Sequence, residues 1–531
     1  MYMKIRKRLI ALFSVIVVMA MMMPMLVSAA PASSGTIKIS APISMGLASM
    51  NAEAYKLFSL TDVTGSVYTY SITDEAMAFI NSNYYTFSQK TELAFKEYLQ
   101  GLDSDSAEFK ALTAAIQDYQ NDESITSKKF IPVPFSGSNP LTSQLLNPGY
   151  YMLVVNADIP DHSTQVVAHC NMVTVNGNTE VNLKADVPSI TKEVKKHDGS
   201  WGDWTDVNIG DIVNFKITSN VPKMFGYSTY IFNVEDTMSE GLTYKGNLEV
   251  YIGSVKIEPG TVTDSATTYT FTFNEDKNSF IIQFNNIINF KGSDNKDVVI
   301  TYDAQLNEKA KINNDNANIN KAIIEYSNNP YDSNQTGNTP KVEARVFTFN
   351  INIYKYTGVL DTSNSKPLSG AEFSIFKVSG SDPDFVYTEV KFVDLGGGLY
   401  RVAKDQTVTL PAREDNKSIT VTLVSSLSGK IDISGLDAGS YAYEETKAPV
   451  NYNKIEGKIE FTIIHTEGNG QRSLTHKGLS TTNINVENKG GLILPGTGGI
   501  GTTILYACGG TLAIGIAVAY FISKRRERDD M

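Results

Sequence analysis

Short segments in which apolar and polar residues alternate recur after the first third of the chain. Residues 213–217 read VNFKI and residues 347–354 read FTFNINIY, and Asn, Gly, Asp and Ser separate such segments. Side chains of a strand point alternately to its two faces, so this period of two is typical of strands buried on one face. Many short strands without a long helix predict β-sandwiches, in which two sheets bury their apolar faces against each other.

The length of the chain predicts several domains. Between apolar segments at its two ends lie roughly 460 residues, too many for one domain of about 100–200 residues. Polar joins near Pro188 and Pro340 predict a first domain over residues 31–187 and Ig-like β-sandwich domains over residues 188–345 and 346–489. The expected fold class is therefore mainly β, with tandem β-sandwiches after a first domain of mixed β structure with helical insertions.

The first domain is expected to combine strands with helices. Residues 35–43 have the composition of a strand, and a Pro-Gly turn precedes the apolar run of residues 150–155. Apolar residues recur at helical spacing over residues 52–60 and 74–119, which predicts helices there. Thr73, followed by two acidic residues, suits the start of the second helical stretch.

The N-terminus has the layout of a secretory signal peptide. A positive region with Lys4 and Arg6 precedes an apolar core over residues 9–27, and small residues at Ala29 and Ala30 suit cleavage. Residues 1–30 are therefore expected to be removed during export, and the mature protein is predicted to be secreted.

The C-terminal residues 490–531 carry a pentapeptide, an apolar run and a basic tail. LPGTG occupies residues 494–498, and residues 500–522 follow without a charge. About 20 apolar residues suffice for a helix that crosses a bilayer, so this run predicts a transmembrane helix. The basic sequence KRR at residues 524–526 would stay on the cytoplasmic side.

Composition argues against several other classes of function. A net charge of −11 disfavours nucleic acid as a partner. Outside the apolar C-terminal run the sequence has a single cysteine, Cys170, so the exported part is not expected to form an internal disulfide. His162, His169 and Cys170 are close in sequence, but no second cysteine or cluster of acids accompanies them, and no metal or cofactor is expected.

A motif with chemical meaning lies in the predicted third domain. Residues 435–449 read GLDAGSYAYEETKAP, and Tyr452 follows. This stretch resembles the E-box of CnaB-like domains, with Tyr443 in place of the family's Leu and Asn451 in place of its Gly. The resemblance implies a CnaB-like β-sandwich.

Domains of that family join two strands through a Lys–Asn isopeptide bond. Residues 367–373 read PLSGAEF and residues 486–488 read VEN, and both are similar to family segments that flank the E-box. The resemblance assigns the amine to Lys355, the acid to Glu445 and the amide to Asn488.

Burial explains why these residue types react. A buried lysine gives up its proton more easily and becomes a nucleophile, and a buried acid tends to keep its proton. The acid can then polarise the amide carbonyl and transfer protons while ammonia leaves. The fold supplies proximity and the reaction occurs once, so such a domain modifies itself and is not an enzyme.

In the predicted second domain, residues 208–215 read NIGDIVNF. This segment resembles a strand motif in the middle domain of pilins. The same comparison assigns the amine to Lys192, the acid to Asp236 and the amide to Asn320. Asn318 lies two residues earlier on the same strand face, so the sequence leaves the choice of asparagine open.

Together these motifs resemble the backbone subunits of Gram-positive, sortase-assembled pili, the SpaA-type major pilins. LPGTG resembles their LPxTG sorting signal, with Leu494, Pro495, Thr497 and Gly498 in the family positions. In that family a sortase cuts between Thr and Gly and passes the Thr carbonyl to an amine. The resemblance implies a cell-wall-anchored protein whose partners are the sortase, neighbouring pilin subunits, peptidoglycan and, before sorting, the membrane.

Backbone pilins accept the threonine of the next subunit on a lysine at the end of their first domain. Lys184 holds that position, within VNLKADVP at residues 181–188, but the family's Tyr and Pro are absent. The expected function is a pilus shaft subunit. The departure leaves the alternative of an ancillary pilin or wall-anchored adhesin that binds a host or matrix ligand. A surface enzyme is not expected, because no catalytic set stands out in the sequence.

Overall fold

The structure, a computed structural model, is mainly β, as predicted. Its strands alternate buried and exposed side chains, as in Ile212–Asn220. A first unit of strands and helices is followed by a middle unit and a third unit, each built from paired sheets. The residues that the structure describes are 32–41, 49–158, 166–168, 170–183, 186–261, 263, 265–293, 296–466, 468–491 and 500–529.

The first unit contains a sheet that is largely antiparallel. Its strands are β1 (Ile37–Ser40), β2 (Ser49–Thr64), β3 (Val67–Ile72), β4 (Val133–Gly137), β5 (Leu141–Ser143), β6 (Gly149–Asp158), β7 (Val166–Val167), β8 (Asn171–Val175) and β9 (Thr179–Asn182). They run in the order β7-β6-β2-β4-β5-β1-β9, with β3 paired to β2 and β8 to β6. Most neighbours are antiparallel, but β1 and β9 are parallel.

Helices inserted between β3 and β4 cover part of this sheet. They are α1 (Asp74–Asn81), α2 (Glu92–Gly101) and α3 (Ala107–Asn121). Each begins after a Thr or Ser whose side-chain oxygen accepts a backbone hydrogen bond from the first turn. Their buried aromatic residues pack with strand residues, and Phe95 stacks on Phe58 of β2 at 5.4 Å between ring centroids. The predicted helical stretch after Thr73 is thus confirmed as separate helices.

The prediction of a helix over residues 52–60 is wrong, because these residues lie within β2. The strand pairs antiparallel with β6, and Ala54 lies opposite Leu153. Between Ala54 and Leu60 β2 is buried or half-buried on both faces, and its register shifts between Lys56 and Phe58. Two-sided burial and this irregularity break the alternation and imitate the spacing of a helix.

The middle unit is a β-sandwich. Its strands are β10 (Thr191–Lys195), β11 (Trp201–Gly202), β12 (Trp204–Asp206), β13 (Ile212–Asn220), β14 (Phe232–Met238), β15 (Leu242–Ile252), β16 (Val255–Lys256), β17 (Thr268–Asn274), β18 (Ser279–Asn285), β19 (Asp297–Leu306), β20 (Asn318–Ser327), β21 (Thr336–Asn338) and β22 (Val342–Phe347). One sheet runs β11-β10-β13-β19-β15-β16, and the facing sheet runs β12-β22-β20-β14-β18-β17 with β21 on β20. Aromatic side chains pack between the two sheets, and the ring centroids of Phe280 and Tyr302 are 4.9 Å apart.

The third unit is also a β-sandwich. Its strands are β23 (Phe349–Thr357), β24 (Lys366–Pro367), β25 (Glu372–Ser379), β26 (Val386–Glu389), β27 (Phe392–Gly396), β28 (Leu399–Val402), β29 (Ala412–Glu414), β30 (Lys417–Thr420), β31 (Leu423–Val424), β32 (Lys430–Leu436), β33 (Gly439–Lys447), β34 (Lys458–Ile464), β35 (Ser473–His476), β36 (Leu479–Thr481) and β37 (Ile484–Glu487). One sheet runs β24-β23-β32-β28-β27-β30-β29 with β37 on β23, and the other runs β26-β25-β33-β34-β35-β36 with β31 on β25.

The change from the middle to the third unit occurs at Thr348. Strand β22 of the middle unit continues to Phe347, two residues past the predicted boundary at residue 345, and β23 begins at Phe349 in a different sheet. Thr348 is buried, and its hydroxyl donates to the carbonyl of Leu436 at 3.2 Å. The polypeptide therefore passes between the units without an exposed linker.

A helix, α4 (Ile500–Asp529), forms at the C-terminal end. Within the described residues no helix is long and apolar enough to cross a membrane, so the transmembrane helix predicted over residues 500–522 is not seen. The predicted signal peptide over residues 1–30, Lys184 and the pentapeptide at residues 494–498 lie outside the described residues.

Candidate functional site

A buried polar cluster lies between the two sheets of the middle unit. Lys192 on β10 and Tyr302 on β19 extend from one sheet, and Asp236 on β14 and Asn320 on β20 extend from the other. All four side chains are buried, at positions where the alternation of each strand points inward. The structure thus brings together the amine, acid and amide that the sequence assigned to this unit.

Short hydrogen bonds connect the cluster. Lys192 Nζ contacts Asp236 Oδ2 and lies 2.7 Å from the Tyr302 hydroxyl. That hydroxyl donates to Asp236 Oδ2 at 2.6 Å and accepts from Asn320 Nδ2 at 2.6 Å. Amine, acid and amide therefore share one network, with the tyrosine oxygen at its centre.

Burial shifts this cluster toward its neutral forms. Desolvation lowers the pKa of Lys192, although the Asp236 charge opposes the shift. Desolvation also raises the pKa of Asp236, against the opposing effect of Lys192. Asp236 Oδ1 and Asn320 Oδ1 have no hydrogen-bond partner among the described residues, which is costly for buried oxygens. Burial thus favours the neutral form of the amine, which is the form that can attack an amide carbonyl.

Asn318, the alternative asparagine, has a different environment. Its Oδ1 accepts from the backbone N–H of Lys311 at 2.8 Å, and its Nδ2 donates to the carbonyl of Val346 at 3.1 Å. These bonds hold the loop before β20 against β22. The geometry places Asn320, and not Asn318, in the cluster.

The third unit holds a second buried cluster, formed by Lys355, Glu445 and Asn488. Lys355 lies on β23 and Glu445 on β33 of the facing sheet, while Asn488 directly follows β37. Strand β37 runs parallel to β23 with Val486 opposite Lys355, and the Asn488 N–H donates to the carbonyl of Tyr356 at 2.9 Å. This pairing brings the two ends of the unit side by side.

In this cluster the acid connects amine and amide directly. Lys355 Nζ lies 3.1 Å from Glu445 Oε1, and Asn488 Nδ2 donates to Glu445 Oε2 at 3.0 Å. The backbone N–H of Ile455 also donates to Oε2 at 2.8 Å, which fixes the carboxyl group. Burial lowers the pKa of Lys355 to about 8, against the opposing effect of Glu445. The predicted trio of this unit is therefore assembled.

Tyr302 was not among the residues predicted from the sequence. It follows the alternating pattern of β19, which predicts an inward side chain, but no motif marks its hydroxyl. The signal that could have found it is an aromatic residue with a polar group on an inward strand position of a sandwich that also buries a lysine and an acid.

A further polar group lies where the middle and third units meet. His197, Asp206 and Asp437 bring possible metal-ligand atoms within 4.8 Å of one another. Lys377 Nζ lies 2.7 Å from Asp437 Oδ1, and His465 Nδ1 lies 3.0 Å from Asp206 Oδ2. Because side chains of the protein already contact these carboxylates, the group is a polar network between the units. Of the residues first weighed as metal ligands, Cys170 is buried, and His162 and His169 lie outside the described residues.

A known family model matches the part of the third unit that holds Lys355 and Glu445. Residues 351–477 match the family model SpaA, described as a prealbumin-like fold domain. That range includes Lys355 and Glu445 and ends shortly before Asn488. The chain therefore carries a SpaA prealbumin-like domain.

The chain is also homologous to a streptococcal surface protein. It is 26% identical over 416 residues to the "Trypsin-resistant surface T6 protein" of Streptococcus pyogenes serotype M6, and the match covers 67% of this chain and 74% of that protein. The predicted resemblance to SpaA-type pilins is confirmed by the domain match and by this relative.

Solved structures of pilins resemble the fold. The T6 backbone pilin of S. pyogenes matches with a TM-score of 0.48 and 19% identity, over 82% of this chain and 81% of that chain. The full-length major pilin RrgB of Streptococcus pneumoniae matches with a TM-score of 0.40 and 15% identity, over 69% and 88% of the two chains.

Proposed function

We propose that this protein is the shaft subunit of a covalently joined, cell-wall-anchored pilus on a Gram-positive surface, and that it is a structural protein rather than an enzyme. The observation that carries the proposal is the buried cluster of lysine, acid and asparagine in each of two consecutive sandwich units. The homology to a surface protein of S. pyogenes supports it.

In the third unit the cluster would form an isopeptide bond between Lys355 and Asn488. The neutral amine attacks the side-chain carbonyl carbon of Asn488, which Glu445 orients through its hydrogen bond to the amide nitrogen. The carboxyl group carries a proton from the attacking nitrogen to the leaving nitrogen, and ammonia departs. The middle unit would link Lys192 to Asn320 by the same chemistry, with Asp236 as the acid.

Such bonds suit a protein that bears tension. Lys355 lies on the first strand of the third unit and Asn488 follows its last strand, so a bond between them joins the two ends of the unit. Load applied along the chain would pass through covalent bonds instead of the hydrogen bonds of β23 and β37. A shaft built from these units would therefore resist extension.

Polymerisation would use residues outside the described part of the chain. A sortase would recognise Leu494 and Pro495, cut between Thr497 and Gly498, and transfer the Thr497 carbonyl to Lys184 of the neighbouring subunit. This joint is heterologous and does not close, so it produces a fibre and not a ring. Transfer of the last subunit to peptidoglycan would anchor the fibre after export.

The test is expression with the matching sortase, followed by electrophoresis of boiled cell-wall extracts. Wild-type protein should migrate as a ladder of high-mass species, and Lys184→Ala should abolish the ladder. Lys195→Ala, which removes an exposed lysine near the start of the middle unit, is the matched control and should leave the ladder intact. A single wall-linked band from wild-type cells would favour the adhesin instead.

A further inference from the structure

The hydroxyl of Tyr302 touches each reacting group of the middle cluster. It lies 2.7 Å from the Lys192 amine, 2.6 Å from Asp236 Oδ2 and 2.6 Å from the Asn320 amide nitrogen. We infer that Tyr302 is a catalytic residue for the Lys192–Asn320 bond and passes a proton between the acid and the departing amide nitrogen. The inference rests on the proposed isopeptide linkage.

Packing fixes this hydroxyl in place. Tyr302 lies on β19, a central strand of its sheet, and is fully buried. Its ring stacks on Phe215 at 5.7 Å and meets the edge of Phe280 at 4.9 Å. The ring cannot turn away without disturbing the core, so the oxygen stays between amine, acid and amide.

The hydrogen-bond partners of the phenol suit a relay, in which the bonds to Asp236 and Asn320 reverse direction once the nitrogen of the tetrahedral intermediate can accept a proton. The phenol oxygen accepts from Lys192 and Asn320, and its O–H donates to Asp236. Burial, and then the neighbouring Asp236 charge, raise the pKa of Tyr302 well above its ordinary value, so the phenol keeps its proton until transfer. A protonated phenol can give its proton to one neighbour and regain one from another in a single step.

The step balances without another reactant. The Lys192 nitrogen bonds to the side-chain carbonyl carbon of Asn320. Tyr302 gives its proton to the amide nitrogen as the bond from carbon to that nitrogen breaks, the protonated Asp236 gives its proton to the phenol oxygen, and the Lys192 nitrogen returns one proton to Asp236. The products are the secondary amide and ammonia, and both Asp236 and Tyr302 end in their starting protonation states.

The two units differ in the group that accepts the hydrogen bond from the amide nitrogen. There Glu445 itself accepts the hydrogen bond from the asparagine amide, at 3.0 Å. In the middle unit the hydroxyl of Tyr302 accepts the corresponding bond, at 2.6 Å. Asn320 also acts on Asp236 through a side-chain hydrogen bond, so Tyr302 adds a second contact to the amide beside that of the acid.

The test compares both linkages within one molecule after cell-free synthesis of the mature chain. Link formation is followed over time by the mass of peptides that contain each pair. Tyr302→Phe removes the hydroxyl and keeps the ring, and should slow the Lys192–Asn320 bond by roughly 10²–10⁴-fold, the usual contribution of general acid–base catalysis. The Lys355–Asn488 bond of the same molecules should form at the wild-type rate.

Tyr230→Phe is the matched control, because Tyr230 is buried in the same unit and its hydroxyl has no hydrogen-bond partner among the described residues. It should leave both rates unchanged. If Tyr302→Phe prevents folding of the middle unit, 3-fluorotyrosine at residue 302 provides an isosteric probe whose more acidic phenol should alter the rate and pH dependence of that bond alone.

The outcomes separate this inference from the proposed linkage. A wild-type chain that never forms the Lys192–Asn320 bond would overturn the linkage itself. A wild-type chain that forms it, with Tyr302→Phe or the fluorinated chain forming it at the same rate and with the same pH dependence, would overturn the role of Tyr302 only.

Discussion

His465 of the third unit contacts Asp206 of the middle unit, with 3.0 Å between Nδ1 and Oδ2. The other ring nitrogen of His465 faces the carbonyl of Asn469 at 2.9 Å. The second oxygen of Asp206 accepts from the backbone N–H of Ala438 at 2.8 Å and faces His197. One buried carboxylate thus organises the contact between the two sandwich units.

Replacement of Asp206 by Asn should loosen this contact. Burial opposes the charge of Asp206, but hydrogen bonds from His197, His465 and Ala438 outweigh it and hold the pKa of this carboxyl well below its ordinary range. Asp206→Asn keeps the shape of the side chain and removes its charge. His197, His465 and the backbone N–H of Ala438 then lose a charged hydrogen-bond acceptor. We expect a loss of about 1–3 kcal/mol in the free energy of unfolding, measured by chemical denaturation.

The pH dependence provides the check on this prediction. A carboxyl whose pKa is lowered on folding stabilises the fold above its unfolded pKa of about 3.9, and the contribution is lost as pH falls toward the folded value. The difference between Asp206→Asn and wild type should therefore be full at neutral pH and shrink in acid. Asp203→Asn, at an exposed position between β11 and β12, should match wild type throughout. Equal stability of Asp206→Asn and wild type at pH 7 would contradict the assigned role.

Much of the fold was predictable because burial on one face leaves a period of two in the sequence. Strands such as Asp297–Leu306 retain it, with every second residue buried. The alternating pattern is absent from part of β2, because residues on both faces of this strand are buried there. Sequence also gave no sign that Asp206 and His465, from different units, would meet.

The sequence was sufficient to predict which types of residue form the candidate sites and on which strands they lie. Lys192 and Asp236 were assigned by resemblance, and the structure places them in contact. The choice between Asn318 and Asn320 could be made only from the structure, because both residues lie on one face of β20 and both are buried. Tyr302 was missed because its role depends on strands from two sheets and not on any local motif.

Glu445→Ala should prevent the bond in the third unit and spare the bond in the middle unit. The variant removes the group that contacts both Lys355 and Asn488. The intact mass of the variant, corrected for the substitution, should then exceed that of wild type by the mass of one ammonia molecule. Loss of the cross-link should also lower the free energy of unfolding by roughly 3–5 kcal/mol on the chain-entropy model used for disulfides.

Glu444→Ala is the neighbouring control. Glu444 points to the other face of β33 and pairs with Lys458 at 3.0 Å, away from the cluster. Its intact mass should equal that of wild type. Full linkage in Glu445→Ala would show that the acid is not required.

Formation of the third-unit bond should accelerate as pH rises toward 8. Burial lowers the pKa of Lys355 to about 8, and only the neutral amine attacks. The rate should increase about tenfold per pH unit below that value, since each unit raises the neutral fraction tenfold, and level off above it. Peptide mass followed over time after cell-free synthesis at pH 6, 7 and 8 measures the rate, and a flat profile would argue against amine deprotonation as the limiting requirement.

Asn320→Ala and Asn318→Ala should have opposite effects on the middle unit. Asn320 contacts the Tyr302 hydroxyl and leaves its carbonyl oxygen without a partner among the described residues, so its removal should abolish the bond to Lys192.

Asn318 instead satisfies backbone groups of Lys311 and Val346. Asn318→Ala should therefore permit the bond while the unit loses about 1–3 kcal/mol of stability, the cost of leaving buried backbone groups unpaired. Peptide mapping identifies the linked asparagine, and thermal unfolding measures stability. A Lys192 bond that persists in Asn320→Ala and disappears in Asn318→Ala would reverse the assignment, because it would mean that the amide now held by the backbone is the one that reacts.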